Sequence, residues 1–192
     1  MREIILSLFL VANLFALSEN EIKPYMSKNI NLAIKIIKTS KEHNISKDIA
    51  SKKIFKIFDP VFDYKLMSML SLGINVWRSI TPEQRAKFVK KFTHRLKDSY
   101  KSKLDMYNGQ KIVIEGIKKI RKNRIHLLSS IKDKKQKYDI VYKFYKARNN
   151  QWYIYDVDVL GVSIIQTYRS QFSDELQKIS FQELLKKLDR VS

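Results

Sequence analysis

The sequence predicts an α+β fold with N-terminal helices, a four-stranded antiparallel sheet and C-terminal helices packed on that sheet. The first observation is a change of period. Apolar residues recur at helical spacing up to Gly109, at a spacing of two from Lys111 to Leu160, and at helical spacing again from Val162. Short turns join the predicted strands, which is typical of an antiparallel meander. The low content of 4 Gly and 3 Pro in 192 residues also favours long regular elements.

The composition indicates one basic globular domain. The chain holds 38 Lys and Arg against 19 Asp and Glu, a formal net charge of +19, and its hydrophobic content of 44% is that of a globular chain. No cysteine is present, which excludes a disulfide framework and thiolate metal ligands. The positive charge has three interpretations: nucleic-acid binding, attraction to anionic lipid headgroups, or solvated lysines without a specific function.

Residues 1–18 are predicted to be a secretory signal peptide, and residues 19–192 a single domain. The apolar run that ends at Leu17 is short for a membrane span. Ala16 and Ser18 are the small residues expected before a cleavage site. An uncleaved anchor is the alternative. Export through such a leader would separate the domain from nucleic acid, so it disfavours the first interpretation of the charge.

Helices are predicted to occupy the chain up to Gly73. The first covers Glu21–Asn44 and carries one apolar stripe. Ser46 is the expected N-cap of the second helix, which Pro60 ends. Asp63 is the expected N-cap of a third, short helix that closes at Gly73.

A longer helix is predicted to start at Thr81. Thr81 can cap it, Pro82 suits its first turn, and Gln84 completes a capping box. Its apolar positions recur every four residues, at Phe88, Phe92, Leu96 and Tyr100. The helix is expected to end at the turn residues Asn108 and Gly109.

Strands and then two helices are predicted for the rest of the chain. The strands cover Lys111–Ile117, Arg124–Ile131, Tyr138–Ala147 and Trp152–Leu160. Alternation in the last strand places Tyr153, Tyr155, Val157 and Val159 on one face. Gly161 breaks this strand, and helices follow from Val162 and from the N-cap Ser180. A strand that turns sharply into a helix can cover one end of an apolar space.

The sequence has few candidate catalytic residues, and they do not form a recognised catalytic motif. The histidines are scattered and lack metal-ligand spacing: His43, His94 and His126. Asp156 and Asp158 point the same way from one strand, so they could hold a metal ion or perform acid–base chemistry. Ion pairing with a cation such as Arg169, or plain solvent exposure, is the structural interpretation of the same pair.

Three segments carry a resemblance to a known family: Phe58–Trp77, Thr81–Gly109 and Trp152–Phe172. In order and spacing they resemble the MlaC family of periplasmic phospholipid-binding proteins, which are toluene-tolerance auxiliary components of ABC transporters. The resemblance implies a deep apolar pocket between sheet and helices that takes acyl chains, with no catalytic residue, metal or cofactor. Leu160 departs from the acidic or polar residue that the family leads us to expect before Gly161.

The resemblance also implies a function. The protein would be a soluble periplasmic carrier that moves phospholipid between the outer membrane and an inner-membrane ABC transporter, and so maintains outer-membrane lipid asymmetry. Its partners would be the transporter complex with its substrate-binding subunit and an outer-membrane lipoprotein–porin complex. A monomer is the simplest state for a carrier that docks on two membranes in turn.

Apolar residues on the predicted helix stripes and strand faces are the candidate lipid contacts: Trp77, Phe88, Phe92, Tyr142, Phe144, Tyr155, Val157, Ile164 and Tyr168. The stripes alone do not distinguish an ordinary core from a cavity wall. Arg169 and Asp156 are candidates for the pocket mouth or for a structural ion pair. The alternative function is a small-ligand α+β enzyme that uses the Asp156/Asp158 face with a histidine, and the third is a basic nucleic-acid-binding domain.

Overall fold

The computed structural model describes residues 17–102, 104–133 and 136–189. The predicted signal peptide lies outside the described residues except for Leu17 and Ser18. The helices before the sheet are α1 (Glu19–Glu42), α2 (Lys47–Phe58), α3 (Tyr64–Leu72), α4 (Ile74–Ser79) and α5 (Pro82–Lys101), with short 3-10 turns at Asp59–Val61 and Leu104–Met106. Along the described residues, no helix combines the length and the apolar character that a membrane crossing requires.

Capping side chains start these helices close to where the sequence predicts. Asp63 Oδ1 accepts a hydrogen bond from the amide of Leu66 at 2.8 Å, and Thr81 forms a capping box with Gln84. Helix α1 starts at Glu19, earlier than predicted, because Ser18 forms its N-cap in a capping box with Glu21. Each cap satisfies amides that the first helical turn leaves free, and so it fixes where the helix begins.

The predicted antiparallel meander is confirmed, with one short strand more than expected. The strands lie side by side in chain order: β1 (Lys111–Arg121), β2 (Arg124–Lys132), β3 (Lys137–Lys146), β4 (Trp152–Val159) and β5 (Val162–Ser163). The fifth strand forms because Leu160 and Gly161 take positive φ values of 55° and 79° and turn the chain back onto β4. Helix α6 (Ile164–Leu176) therefore begins after the predicted Val162, and α7 (Phe181–Lys187) follows.

A bulge in β4 changes which side chains of this strand share a face. Pairing with β3 skips from Asp156 to Ile154, which leaves Tyr155 without a register partner. Simple alternation predicts that Tyr155 and Val157 lie on the same face of β4. This prediction is wrong, because the extra residue at the bulge moves Tyr155 to the opposite face. Ile154 and Val157 are both buried in the same core, whereas the Tyr155 ring lies 5.2 Å from the guanidinium carbon of Arg124.

Two hydrophobic cores lie next to each other in the fold. The helical core lies among the helices from α3 through α7. Its buried residues are Met67, Leu72, Trp77, Ile80, Phe88, Phe92, Leu96, Ile165, Phe172, Leu184, Leu185 and Leu188. The sheet core lies between α1 and the sheet. Its buried residues are Leu17, Ile22, Met26, Ile30, Val61, Ile125, Leu127, Phe144, Trp152, Ile154 and Val157. Phe62 and Ile164 pack against both cores, so they mark the seam between them.

Candidate functional site

An apolar cavity of about 260 Å³ lies at the seam between the two cores. Helices α2, α3, α5 and the start of α6 form one wall, and strands β3 and β4 form the other. Its lining residues are Ile54, Phe55, Phe58, Phe62, Tyr64, Met67, Leu96, Lys97, Tyr100, Ile140, Tyr142, Val157, Val159 and Ile164. Lys97 alone among these lining residues is charged. The cavity therefore offers an apolar ligand a wall with a single charged group.

Cross-strand pairs build the strand wall. Ile140 pairs with Val159, and Tyr142 pairs with Val157, in the antiparallel register of β3 and β4. Paired residues project from the same face of a sheet, so alternate positions of the two strands meet in one continuous surface. The β-branched residues among them also favour the extended backbone. The wall and the strands that support it thus come from the same local sequence pattern.

Helical spacing builds the opposite wall. Leu96 and Tyr100 in α5 stand four residues apart and lie on one side of that helix, and Ile54 and Phe58 in α2 have the same spacing. The 3-10 turn after α2 then brings Phe62 to the edge of the sheet, where it bridges to β4. The helices therefore close over the strand wall on the side that the sheet alone would leave open.

Tyr100 and Tyr142 belong to the cavity wall without adding charge to it. Burial, with smaller effects from Tyr168, Asp156 and Tyr142, raises the pKa of Tyr100 to about 12. Burial also raises the pKa of Tyr142 to about 12. Both phenols therefore stay neutral at physiological pH. An ionised group in this position would be costly to desolvate against hydrocarbon.

Lys97 lies at the edge of the cavity. Its Nζ is 2.7 Å from Oδ1 and 2.8 Å from Oδ2 of Asp59. The ammonium also lies 5.0 Å from the ring centroid of Tyr64 and 5.4 Å from that of Phe55. The Lys97 side chain keeps 25% of its surface exposed, so the charged edge of the cavity is also a side that water reaches.

Asp156 is a buried carboxylate that connects β4 to the start of α6. Its Oδ2 accepts hydrogen bonds from Lys143 Nζ at 2.9 Å and from Ser163 Oγ at 2.7 Å. Its Oδ1 accepts from the amide of Ile165 at 3.2 Å. Because Ser163 is also the N-cap of α6, this network sets the position of Ile164 in the cavity wall.

The predicted Asp156/Asp158 face is not part of the cavity. Both carboxylates contact Lys143, at 2.9 and 2.6 Å, and neither lines the cavity. His126 pairs with Lys143 across the strands, and burial followed by the positive charge of Lys143 lowers the pKa of this imidazole. Among the described residues, no three His, Asp or Glu side chains could hold a metal ion. The geometry favours the structural interpretation of the pair over the enzymatic one.

The structure places the predicted lipid contacts in four different surroundings. Those that line the cavity are Tyr142, Val157 and Ile164. Those that belong to or pack on the helical core are Trp77, Phe88, Phe92 and Tyr168. Phe144 is fully buried in the sheet core. Tyr155 lies against Arg124 and Tyr145.

Ring packing explains why the first half of the α5 stripe is not at the cavity. The Phe92 ring centroid lies 5.1 Å from that of Tyr168 and 6.0 Å from that of Phe172, and Phe88 lies 5.7 Å from Phe172. These edge-on contacts fill the space between α5 and α6. The side chains therefore meet other protein atoms there, and the same stripe reaches the cavity only from Leu96 onward.

Arg169 lies beside the C-terminal end of α3. Its Nη1 donates a hydrogen bond to the carbonyl oxygen of Leu70 at 3.2 Å, and its guanidinium lies close to Gly73, whose φ is +87°. A cation there complements the carbonyl groups that the last turn of a helix leaves free. Arg169 is thus placed to stabilise a helix end, and it is not among the residues that line the cavity.

Sequence reasoning missed most of the helical wall. The lining residues not named as lipid contacts are Ile54, Phe55, Phe58, Phe62, Tyr64, Met67, Leu96, Lys97 and Tyr100 from the helical side, and Ile140 and Val159 from the strands. Leu96, Tyr100, Ile140 and Val159 nevertheless stood on the apolar stripe and strand faces that the sequence singles out. The strand residues carried a usable signal, since each stands two positions from a residue that was named, on the same strand face. The α2 residues carried no sequence signal for the cavity beyond their amphipathic spacing. The turn at Asp59–Val61, which local spacing does not predict, decides where the apolar face of α2 points.

The fold and the cavity define an α+β domain that encloses an apolar site between an antiparallel sheet and a layer of helices. Within that class, the family described as MlaC protein matches residues 27–190. The chain belongs to the MlaC family, and the resemblance carried by its three sequence segments is confirmed.

Two known proteins illustrate the relationship. The toluene tolerance protein ttg2D of Pseudomonas putida is 26% identical over 123 residues, which is 64% of this chain and 57% of that relative, so the chain spans about half the length of the curated relative it matches. A phospholipid-binding protein from Ralstonia solanacearum, solved in complex with a phospholipid, superposes with a TM-score of 0.68 at 22% identity. That likeness covers 84% of this chain and 93% of the other, and it shows that the two share a fold.

Proposed function

We propose that this protein is a phospholipid carrier that holds acyl chain in the cavity between its two cores. The observation that carries the proposal is the cavity lining, which is apolar apart from Lys97 and the tips of neutral tyrosines. Membership in the MlaC family, and a fold shared with a protein solved in complex with a phospholipid, support this ligand class.

The physical requirement on such a carrier is a dry cavity. Burial of each methylene group is worth about 0.8 kcal/mol, so exposing two tails of membrane length to water costs on the order of 20 kcal/mol. A carrier lowers this cost by replacing water around the hydrocarbon with apolar side chains. The task needs no nucleophile, metal or cofactor, and the carboxylates at Asp156 and Asp158 are engaged by Lys143.

The volume of the cavity bears on how much lipid it takes. Its 260 Å³ lies just below the range of about 300–1,000 Å³ that is typical of small-molecule sites. We expect a segment of acyl chain to fit the cavity as it stands. Two complete tails would require the helical wall to move away from β3 and β4. We expect that movement at the seam, where Phe62 and Ile164 pack against both cores.

The proposal extends to the compartment and the partners of the carrier. The carrier would work in the periplasm and pass phospholipid between an outer-membrane lipoprotein–porin complex and an inner-membrane ABC transporter with its substrate-binding subunit, which would maintain outer-membrane lipid asymmetry. Support comes from family membership, from the leader-like sequence of residues 1–18, and from the relative described as a toluene tolerance protein. It would act as a monomer.

The boundary of the mature domain can be tested separately. Cleavage after Ser18 would leave residues 19–192 as the carrier. It would also remove Leu17, which is buried in the sheet core and accepts a hydrogen bond from the amide of Trp152 at 3.1 Å. N-terminal sequencing of the exported protein decides the matter: a start at Glu19 supports the proposed boundary, and a start that retains Leu17 contradicts it.

The experiment that tests the carrier itself is native mass spectrometry of the exported protein purified without detergent, followed by solvent extraction and lipid analysis. We expect phospholipid in near-stoichiometric amount. An unloaded mass that stays unchanged after incubation with phospholipid vesicles would contradict the proposal.

A second readout tests transfer rather than binding. Fluorescent phospholipid should move from donor to acceptor vesicles faster in the presence of the protein, in proportion to protein concentration. A protein that retains lipid but leaves the transfer rate unchanged would be a lipid-binding protein and not a carrier.

A further inference from the structure

A shallow basic recess opens beside the apolar cavity. It has a volume of about 300 Å³ and is lined by Lys52, Phe55, Lys56, Asp59, Pro60 and Lys97. Phe55 and Lys97 line the cavity as well. The recess and the cavity are therefore adjacent, and one lysine belongs to both of them.

The charges of the recess come from two helices. Lys52 and Lys56 stand four residues apart on α2, so they lie on one side of that helix. Lys97 approaches from α5, and Asp59 follows directly after α2. The lysines outnumber the single aspartate by two, so the recess is suited to an anion.

Lys97 is held in a fixed position but retains bonding capacity. The rings of Phe55 and Tyr64 flank its ammonium, and the carboxylate of Asp59 anchors it. An ammonium group has three N–H donors. When the two oxygens of Asp59 each accept one hydrogen bond, a donor is left for a second acceptor. The partial exposure of the Lys97 side chain leaves that donor within reach of a ligand.

We propose that this recess binds the phosphate of the lipid headgroup, with Lys97 as the direct contact, Asp59 as its positioning residue, and Lys52 and Lys56 as outer cations. The inference rests on the proposed lipid-carrier function. The acyl chain would enter the cavity while the phosphate stays in the recess, so Lys97 would lie where the headgroup meets the hydrocarbon. Hydrogen bonds between an ammonium and a phosphate are charge-assisted and stronger than neutral ones. The site would therefore favour a phospholipid over a diacylglycerol with the same tails.

The test is a competition between two lipids that differ only in the headgroup. The exported protein is incubated with vesicles of dioleoylphosphatidylglycerol that contain a minor fraction of dioleoylglycerol, and the bound lipid is extracted and quantified. We expect the bound lipid to be enriched in phospholipid, relative to the vesicle, by at least about tenfold, as a charge-assisted hydrogen bond would give. Lys97→Met keeps an apolar stem of similar length, and it should lower this enrichment by about tenfold.

Matched variants separate charge from packing. Lys97→Arg keeps the positive charge and should keep the enrichment. Lys90→Met removes an exposed lysine of α5 that lines neither the recess nor the cavity, and it should leave the enrichment unchanged. If Lys97→Met does not fold, the exposed pair Lys52→Met/Lys56→Met provides the test, with a loss of enrichment that is larger at low salt.

Each outcome bears on a different claim. If the wild-type protein binds both lipids without preference, or Lys97→Met keeps the preference, the phosphate site is refuted while the carrier function stands. Binding of neither lipid would refute both. If inorganic phosphate alone shifts the NMR signal of the Lys97 side chain while no headgroup preference is found, the recess binds a free anion and not the lipid, which also overturns the inference.

Discussion

The two halves of the α5 stripe have the same sequence pattern and different structural roles. In the first half, Phe88 and Phe92 stack at 5.8 Å between ring centroids and meet Phe172 edge-on. In the second half, Leu96 and Tyr100 line the cavity. The apolar spacing of four residues continues through both halves, so periodicity alone does not set the role.

The difference lies in what each half faces. The first half faces α6 and α7, which supply large rings, and the Phe181 ring centroid lies 6.1 Å from that of Phe88. The second half faces β3 and β4, which contribute Ile140, Val157 and Val159 together with the single ring of Tyr142. Aromatic rings that face other rings fill the helical core. The shorter aliphatic side chains of the strands do not fill the space opposite α5, and this space is the cavity. A carrier needs both, since the filled core must hold the fold while the cavity loads.

The largest expected effect is on the filled half. Phe92→Ala should lower the free energy of unfolding by about 3–5 kcal/mol, because it removes a buried ring that contacts its neighbours on several sides. Phe58→Ala in the cavity wall should cost less than half as much, since that side chain already faces open space on one side. Urea unfolding followed by circular dichroism measures both. Equal losses for the two variants would contradict the distinction between core and cavity wall.

The second effect concerns the network that positions Ile164. Asp156→Asn should lower the free energy of unfolding by about 1–3 kcal/mol, because it leaves the half-buried Lys143 ammonium and Ser163 hydroxyl without their charged acceptor. Asp158→Asn is the control and should cost less, since Asp158 contacts Lys143 without joining β4 to α6. Urea unfolding again gives the comparison. A larger loss for Asp158→Asn would show that the Asp156 network is not what holds the α6 end of the cavity.

The third effect is on binding rather than on stability. Ile140→Trp should fill part of the cavity and displace about two methylene groups of lipid, which corresponds to about 1.6 kcal/mol and a retention about fifteenfold weaker. Ile120→Trp places the same residue at an exposed position of β1, 41% accessible to solvent, and should retain lipid normally. Lipid extracted per protein is the readout. Unchanged lipid content in Ile140→Trp, in a folded protein, would indicate that acyl chain binds elsewhere.

The smallest effect is expected on the face of the sheet that turns away from the cavity. Burial and the Lys143 charge lower the pKa of His126 below its usual 6.5. Because the folded state disfavours the protonated imidazole, the contribution of His126 to stability is present above pH 6.5 and is lost as the pH falls through the lowered folded-state pKa. His126→Gln should remove this part of the pH dependence, and His43→Gln at an exposed site should not. Unfolding curves between pH 5 and 8, about the range in which histidine titrates, measure it.

Periodicity and capping residues were sufficient to predict most of the fold. Alternation between Lys111 and Leu160 predicted the meander, and the box residues Thr81 and Gln84 marked the start of α5. These features are local, because each depends on residues within a turn or a strand of one another. The two-residue strand β5 was missed because it depends on the positive φ values at Leu160 and Gly161.

The cavity was only partly predictable because its position depends on contacts between distant elements. Tyr142 and Val157 were placed on a shared strand face, and they line the cavity. Tyr155 was assigned to the same face, but one bulge residue turned it toward Arg124. Phe92 was chosen as a large apolar residue on a stripe. No local pattern reveals that α6 supplies rings opposite it.

The most direct test of the account is photo-cross-linking with a phospholipid that carries a diazirine near the end of one acyl chain. The loaded protein is irradiated and digested, and the modified residues are mapped by mass spectrometry. We predict modification of the strand wall around Ile140 and Tyr142 and of the helical wall around Phe58. Modification centred on Phe88 and Phe92 would place the acyl chain in the helical core, and it would contradict the claim that the seam between the two cores is the lipid site.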